Sequence, residues 1–223
     1  MVAIFVLAVF LSFISIDLIV LKIQGKYHPA FEPAFFKIDL SEFDGNTFTI
    51  PSDIFFSKGH TWLKRNAEGL ITIGIDTFGT VALGAISIIN CAAEGKELKC
   101  GDIIFEGIYG NKAVKFLSPV NGRVKSVNTN IIGKNISNPY DAWGVQLSSK
   151  DFHENSGRFF TGIEAANWMK KEFIKLKMLI NSHSPNVELA GATMYDGGRL
   201  TNDAVSSLMN KSAIDFEKEF LSL

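Results

Sequence analysis

The stretch EGIYGNKAVKFLSPVNGRV, residues 106–124, decides the fold. Two short strand-like runs flank Gly110-Asn111-Lys112. Glycine and asparagine tolerate the positive φ that tight hairpin turns demand, so a hairpin with its tip at this triplet is expected. Beyond it, SPVNGRVKSVN (118–128) reads as a strand, a turn and a strand. Pro119 has no N–H to give to a ladder and belongs at an edge or a strand start.

The same rhythm runs outward from the hairpin. LITIGIDTF (70–78) and AISIIN (85–90) are β-branched runs, and EGKELKCGDIIFEGI (94–108) sets glycines between short apolar ones. Short strands closely spaced over residues 51–152 imply a mainly β domain, a small sandwich or barrel rather than a parallel sheet. Residues 24–50, with Pro29, Pro33 and the turn signal DGN at 44–46, are expected to be a linker. A helical region is expected over 153–223. TGIEAANWMKKEFIKLKMLI (161–180) opens with Thr161 and Glu164 at capping-box spacing. Ala166, Met169, Phe173, Leu176 and Ile180 then form one apolar stripe, and Lys170, Lys171, Lys175 and Lys177 make the other face basic. This is the pattern of a helix packed on the domain with a solvated lysine face. A last helical segment spans about 203–221, carrying Val205, Leu208, Met209, Ile214, Phe216 and Phe220, with a break expected near Ser212. Between the two, the DGG triplet at 196–198 is loop chemistry, and its backbone amides suit an anion.

Residues 1–23 form an apolar run interrupted only by Ser12, Ser15 and Asp17 before Lys22. Twenty helical residues span about 30 Å, the thickness of a bilayer's hydrocarbon core. A signal peptide would want a basic start and a small-residue cleavage site, and neither is present. A transmembrane anchor is therefore expected, touching the membrane through residues 2–21. Lys22, Lys26 and His28 follow the span and nothing positive precedes it, which puts the N-terminus outside and the remainder in the cytoplasm. Asp17 lies about a turn from the basic end, close enough to reach the interface or Lys22; a partner helix is the other reading.

Bulk properties narrow the function. The 223 residues are 47% hydrophobic and 20% charged, with a formal net charge of −1. A packed core is expected, and no basic excess points to nucleic acid. Cys91 and Cys100 are too few for a disulfide framework and read as small packing residues. His28, His60, His153 and His183 are scattered without metal-ligand spacing. Nucleophile elbow, phosphate loop and paired acids are all missing, so no catalytic residue, metal or small-molecule substrate is expected.

Several blocks, in order over about residues 54–152, resemble the glycine cleavage system H protein family of lipoyl carriers. They are FSKGHTWL (56–63) with His60 and Trp62 as H-x-W, ITIGIDTFGTVALGAI (71–86) ending its helix in Ala82-Leu83-Gly84, EGKELKCGD (94–102), SPVNGRVKSVN (118–128) and SNPYDAWGVQLSSKD (137–151). The resemblance implies a flattened β-barrel of two pseudo-symmetric halves, a barrel-sandwich hybrid, with a lipoyl lysine at a hairpin tip. His60 and Trp62 themselves read as structural residues that pack the N-terminal strand. The family's lysine lies seven residues before the Ser of S-P-V and ten after the Gly that opens the strand; Ser118 and Gly101 both lead to Asn111. Lys112 comes one position late, and a one-residue slip along a strand points a side chain to the opposite face, here the side of Lys115 and the SPV strand. The acidic residue common before the family's lysine is missing as well. The resemblance therefore implies a member without lipoate: a non-catalytic scaffold or accessory subunit of a membrane or redox complex. The alternative is a lipoyl carrier using Lys112. A second alternative, an adaptor of the membrane-fusion type, shares only the anchor, since such adaptors insert a helical hairpin where this chain runs straight through Gly110-Asn111-Lys112.

Overall fold

The computed structural model describes all residues except 1, 24–32, 40–46, 137, 151, 153–155, 184–193, 196–198, 201–204 and 206–209. The apolar start is one helix, α1 (Val2–Ile23), of 22 residues and thus about 33 Å long. It is long and apolar enough to cross a membrane. The Ser12 and Ser15 hydroxyls donate to the Val9 and Leu11 carbonyls at 2.7 and 2.8 Å. Both polar groups are thereby satisfied within the helix, as a hydrocarbon environment requires.

The centre is a flattened antiparallel sandwich. One sheet joins β3 (Phe55–Phe56), β4 (Thr61–Arg65), β5 (Ile71–Ile75), β11 (Trp143–Ser148), β10 (Gly122–Val127) and β7 (Glu97–Leu98), in that spatial order. The other joins β6 (Ile86–Cys91), β8 (Ile103–Tyr109) and β9 (Lys112–Leu117). Period-two patterning fills the space between them: Ile71, Ile73, Ile75, Val145 and Leu147 from the first sheet, and Ile86, Ile88, Phe105, Val114 and Phe116 from the second, are all buried. The barrel that the resemblance implied is not closed. The outer strands of the larger sheet, β3 and β7, are two residues long, too short a ladder to join the smaller sheet. Gly74 lies opposite Trp62 in the β4–β5 register, where an added Cβ would stand 2.6 Å from the indole ring. The Trp62 N–H donates to the Pro139 carbonyl at 2.9 Å, fixing the ring over that glycine.

The 24–50 stretch is not all linker. Its described part forms β1 (Phe35–Asp39), which pairs with β2 (Thr47–Pro51), and Phe36, Ile38 and Ile50 are buried. The alternation in FFKID and TFTIP is a strand signal that the neighbouring prolines and turn residues mask. This hairpin lies under α3 (Gly162–His183), with Phe48 stacked on Phe173 at 5.7 Å. The expected stripe on α3 is buried throughout: Ala166, Met169, Phe173, Leu176 and Ile180. The Thr161 hydroxyl donates to the carbonyls of Ser52 and Ile54, at 3.3 and 3.2 Å, tying the start of α3 to the strands below.

A short helix, α2 (Thr77–Leu83), connects the sheets and ends on Gly84 at φ 76°. The last helix, α4 (Asn210–Phe220), holds Ser212 in its first turn, and residues 206–209 just before it lie outside the described ones. Phe216 and Phe220 are buried on it, as is Val205 before it, whose N–H donates to the Ala82 carbonyl at 3.2 Å. The DGG triplet, Leu208 and Met209 lie outside the described residues.

Phe173 touches both Phe48 and Phe78 and is 1% exposed. Phe173→Ala should cost about 3–5 kcal/mol in urea unfolding of the full chain in detergent micelles. A loss under about 1 kcal/mol would mean that α3 does not hold the structure together.

Candidate functional site

The hairpin of β8 and β9 closes on the pair Tyr109–Lys112, leaving Gly110 and Asn111 as a two-residue turn. Gly110 has φ 54° and Asn111 does not share the positive sign, the pattern of a type II′ turn with glycine first. Asn111 stands exposed at the tip. From there the strand alternates. Ala113 and Lys115 are exposed, whereas Val114 and Phe116 are buried, and Lys112 shares their face and is half-buried. Lys112 therefore does not run with Lys115, as expected, but points to the face of Tyr109 across the ladder. Tyr109 is 1% exposed, and its hydroxyl has no hydrogen-bond partner among the described residues. Burial, and then the charge of Glu217 on α4, pushes its phenol up to about 12. Burial likewise raises Glu217, against the opposing pull of Lys115. The Glu217 charge is thus felt by Tyr109 and by Lys115 on the two faces of the hairpin.

Beside the hairpin lies a second cluster that sequence reading did not single out. Asp76 has no exposed surface. It caps α2 by accepting the Gly79 N–H at 2.9 Å through Oδ1, while Oδ2 is 2.9 Å from Nδ1 of His60. The imidazole stacks on Phe78 at 3.9 Å and on Trp168 of α3 at 5.0 Å. Its Nε2 is 3.8 Å from Oε2 of Glu172, also on α3. Phe78 in turn meets Phe173, Phe216 and Phe220, with ring centres 5.0, 6.3 and 5.2 Å apart. A sequence signal for half of this existed: an aspartate right after the ITIGI strand is an N-cap, and the β4–β5 register brings His60 beside it. His60, expected to pack the N-terminal strand, packs against α2 and α3.

Cys91 and Cys100 are both free thiols. Cys91 is buried, and desolvation pushes its thiol up to about 11, the opposite of an activated cysteine. Among the described residues no group of three or more His, Cys, Asp or Glu side chains is arranged to hold a metal ion.

Comparison with known proteins finds glycine cleavage H proteins. The family profile described as Glycine cleavage H-protein matches residues 54–172. The glycine cleavage system H protein of Mycobacterium leprae is 33% identical over 107 residues, covering 46% of this chain and 80% of that protein. The probable glycine cleavage system H protein of Pyrococcus horikoshii is 25% identical over 127 residues, covering 55% and 94%. A crystal structure of a glycine cleavage system H protein from Mycobacterium marinum superposes with a TM-score of 0.41 at 21% identity, over 45% of this chain and 87% of that one. The profile match runs past residue 152 into the first half of α3, as far as Glu172. On the profile match and the relatives' coverage, the chain belongs to the glycine cleavage H-protein family.

Proposed function

We propose that this chain is a membrane-anchored member of the H-protein family that carries no lipoate and serves as a non-catalytic scaffold or accessory subunit of a membrane-associated complex. The observation that carries the reading is the hairpin tip. The position that the family resemblance gives to the lipoyl lysine holds Asn111, whose amide is not a nucleophile and cannot take up an acyl group. Lys112, one residue on, shares the inward face of Val114 and Phe116. A lipoyl group fits this tip poorly. The competing carrier reading rests on Lys112 alone. The adaptor reading has no support at the turn, because two residues leave no place for an inserted helical hairpin.

The rest of the proposal follows from the ends of the molecule. Residues 1–23 anchor the chain, which contacts the membrane through 2–21, and the sandwich at 51–152 with its C-terminal helices offers its surface to protein partners on the cytoplasmic side. The apolar length of α1 and the lysines that follow it support this orientation.

Two measurements test the proposal. Intact-mass analysis of the protein purified from its native host, grown with lipoate, should show no lipoyl adduct; an adduct mapped to Lys112 would restore the carrier reading. Ser41→Cys in whole cells should resist a membrane-impermeant maleimide, with labelling at residue 41 read by peptide mapping. Efficient labelling there before lysis would reverse the orientation.

A further inference from the structure

His60 joins two parts of the molecule through one ring. It has no exposed surface, and its φ of 56° is the one positive value among the described non-glycine residues. Asp76, on one side, belongs to the sandwich as the cap of α2. Glu172, on the other, belongs to α3, and its side chain is 17% exposed. Nδ1 is at hydrogen-bond distance from Asp76, whereas Nε2 is buried, lacks a hydrogen-bond partner among the described residues and faces the Glu172 carboxylate at 3.8 Å.

The ring's proton count decides what this joint does. A neutral imidazole that donates from Nδ1 to Asp76 turns the lone pair of Nε2 toward an anionic oxygen, acceptor against acceptor, out of reach of water. An imidazolium carries N–H on both nitrogens and serves both carboxylates. We propose that His60 is a protonation-controlled clasp between the sandwich and its C-terminal helices. The imidazolium holds α3 down through Glu172, and loss of its proton lets α3 and α4 lift from the aromatic seat around Phe78.

The surroundings agree with this assignment. The charged groups that face the ring are Asp76 from the α2 cap and Glu172 from α3. From α4 comes the Phe220 ring at 6.5 Å, covered by the Lys175 ammonium at 4.8 Å, which pairs with Glu219 at 2.9 Å. Tyr140, near Asp76, accepts from the Thr77 hydroxyl at 2.8 Å, and burial, then Asp76, raises its phenol, so it stays neutral. Burial alone would lower the pKa of His60; Asp76 and then Glu172 outweigh it, and the net direction is upward. A folded value above the unfolded value of about 6.5 means that the clasp is whole below about pH 6.5 and is lost as pH rises through the folded value. The inference stands whether or not any lysine is lipoylated.

The test is hydrogen exchange of the full chain in detergent micelles between about pH 6 and 9, corrected for intrinsic rates. The opening constant of the α3 and α4 amides should rise by up to about tenfold per pH unit through the transition. Glu172→Gln should flatten that rise. Opening that is independent of pH in the wild type, or an unchanged pH dependence in Glu172→Gln, would overturn the clasp. An NMR titration of the wild-type His60 ring keeps the test open even if the variant does not fold: a midpoint above about 6.5 is expected, and one at or below it refutes the proposal.

Discussion

A carboxylate sealed from water governs the packing of this molecule. A buried charge without partners costs several kcal/mol, so the chain around Asp76 must bring donors to it. It brings two, the Gly79 N–H, which starts α2, and the His60 ring, and the backbone N–H of Asp76 donates to the His60 carbonyl at 3.1 Å, which holds the two residues side by side. Once α2 is pinned there, Phe78 stands at a fixed place, and Phe173, Phe216 and Phe220 converge on it from α3 and α4. The C-terminal helices are therefore seated on the same small region that links the two sheets.

That seating bears on the hairpin. Tyr109 is sealed on the inner side of the β8–β9 hairpin, where the Glu217 charge on α4 is felt, and the strand parity turns Lys112 toward this side. The outer side shows Ile108, Ala113 and Lys115, and the tip shows Asn111. A partner that docks on this hairpin from outside thus meets an amide and a mixed apolar and basic strand face. A binding surface can work with those groups, whereas an acyl carrier needs an amine at the tip.

Much of this was legible in the residues. The sandwich strands follow from period-two apolar runs, the hairpin from Gly110-Asn111, and the α3 stripe from its three-and-four spacing, because each of these signals is local. The β1–β2 hairpin was not legible as such: Phe36, Ile38 and Ile50 alternate correctly, but their partners on α3 lie more than a hundred residues away in sequence, and nothing local says that they are covered. His60 was placed among structural residues, yet its link to Glu172 depends on how α3 crosses the sandwich, which no spacing encodes. The open form of the sheets was missed for a related reason. The shortness of β3 and β7 is a matter of how far hydrogen bonding extends, and that is decided by tertiary packing.

The central claim is that the hairpin offers no amine where a lipoate ligase would look for one. The direct measurement is an in vitro reaction of the purified full chain with lipoate, ATP and a lipoate ligase that modifies H proteins, read by intact mass. The wild type should remain unmodified, and Asn111→Lys, which places an amine at the exposed tip, should gain a lipoyl group. Modification of the wild-type chain at Lys112 would contradict the account.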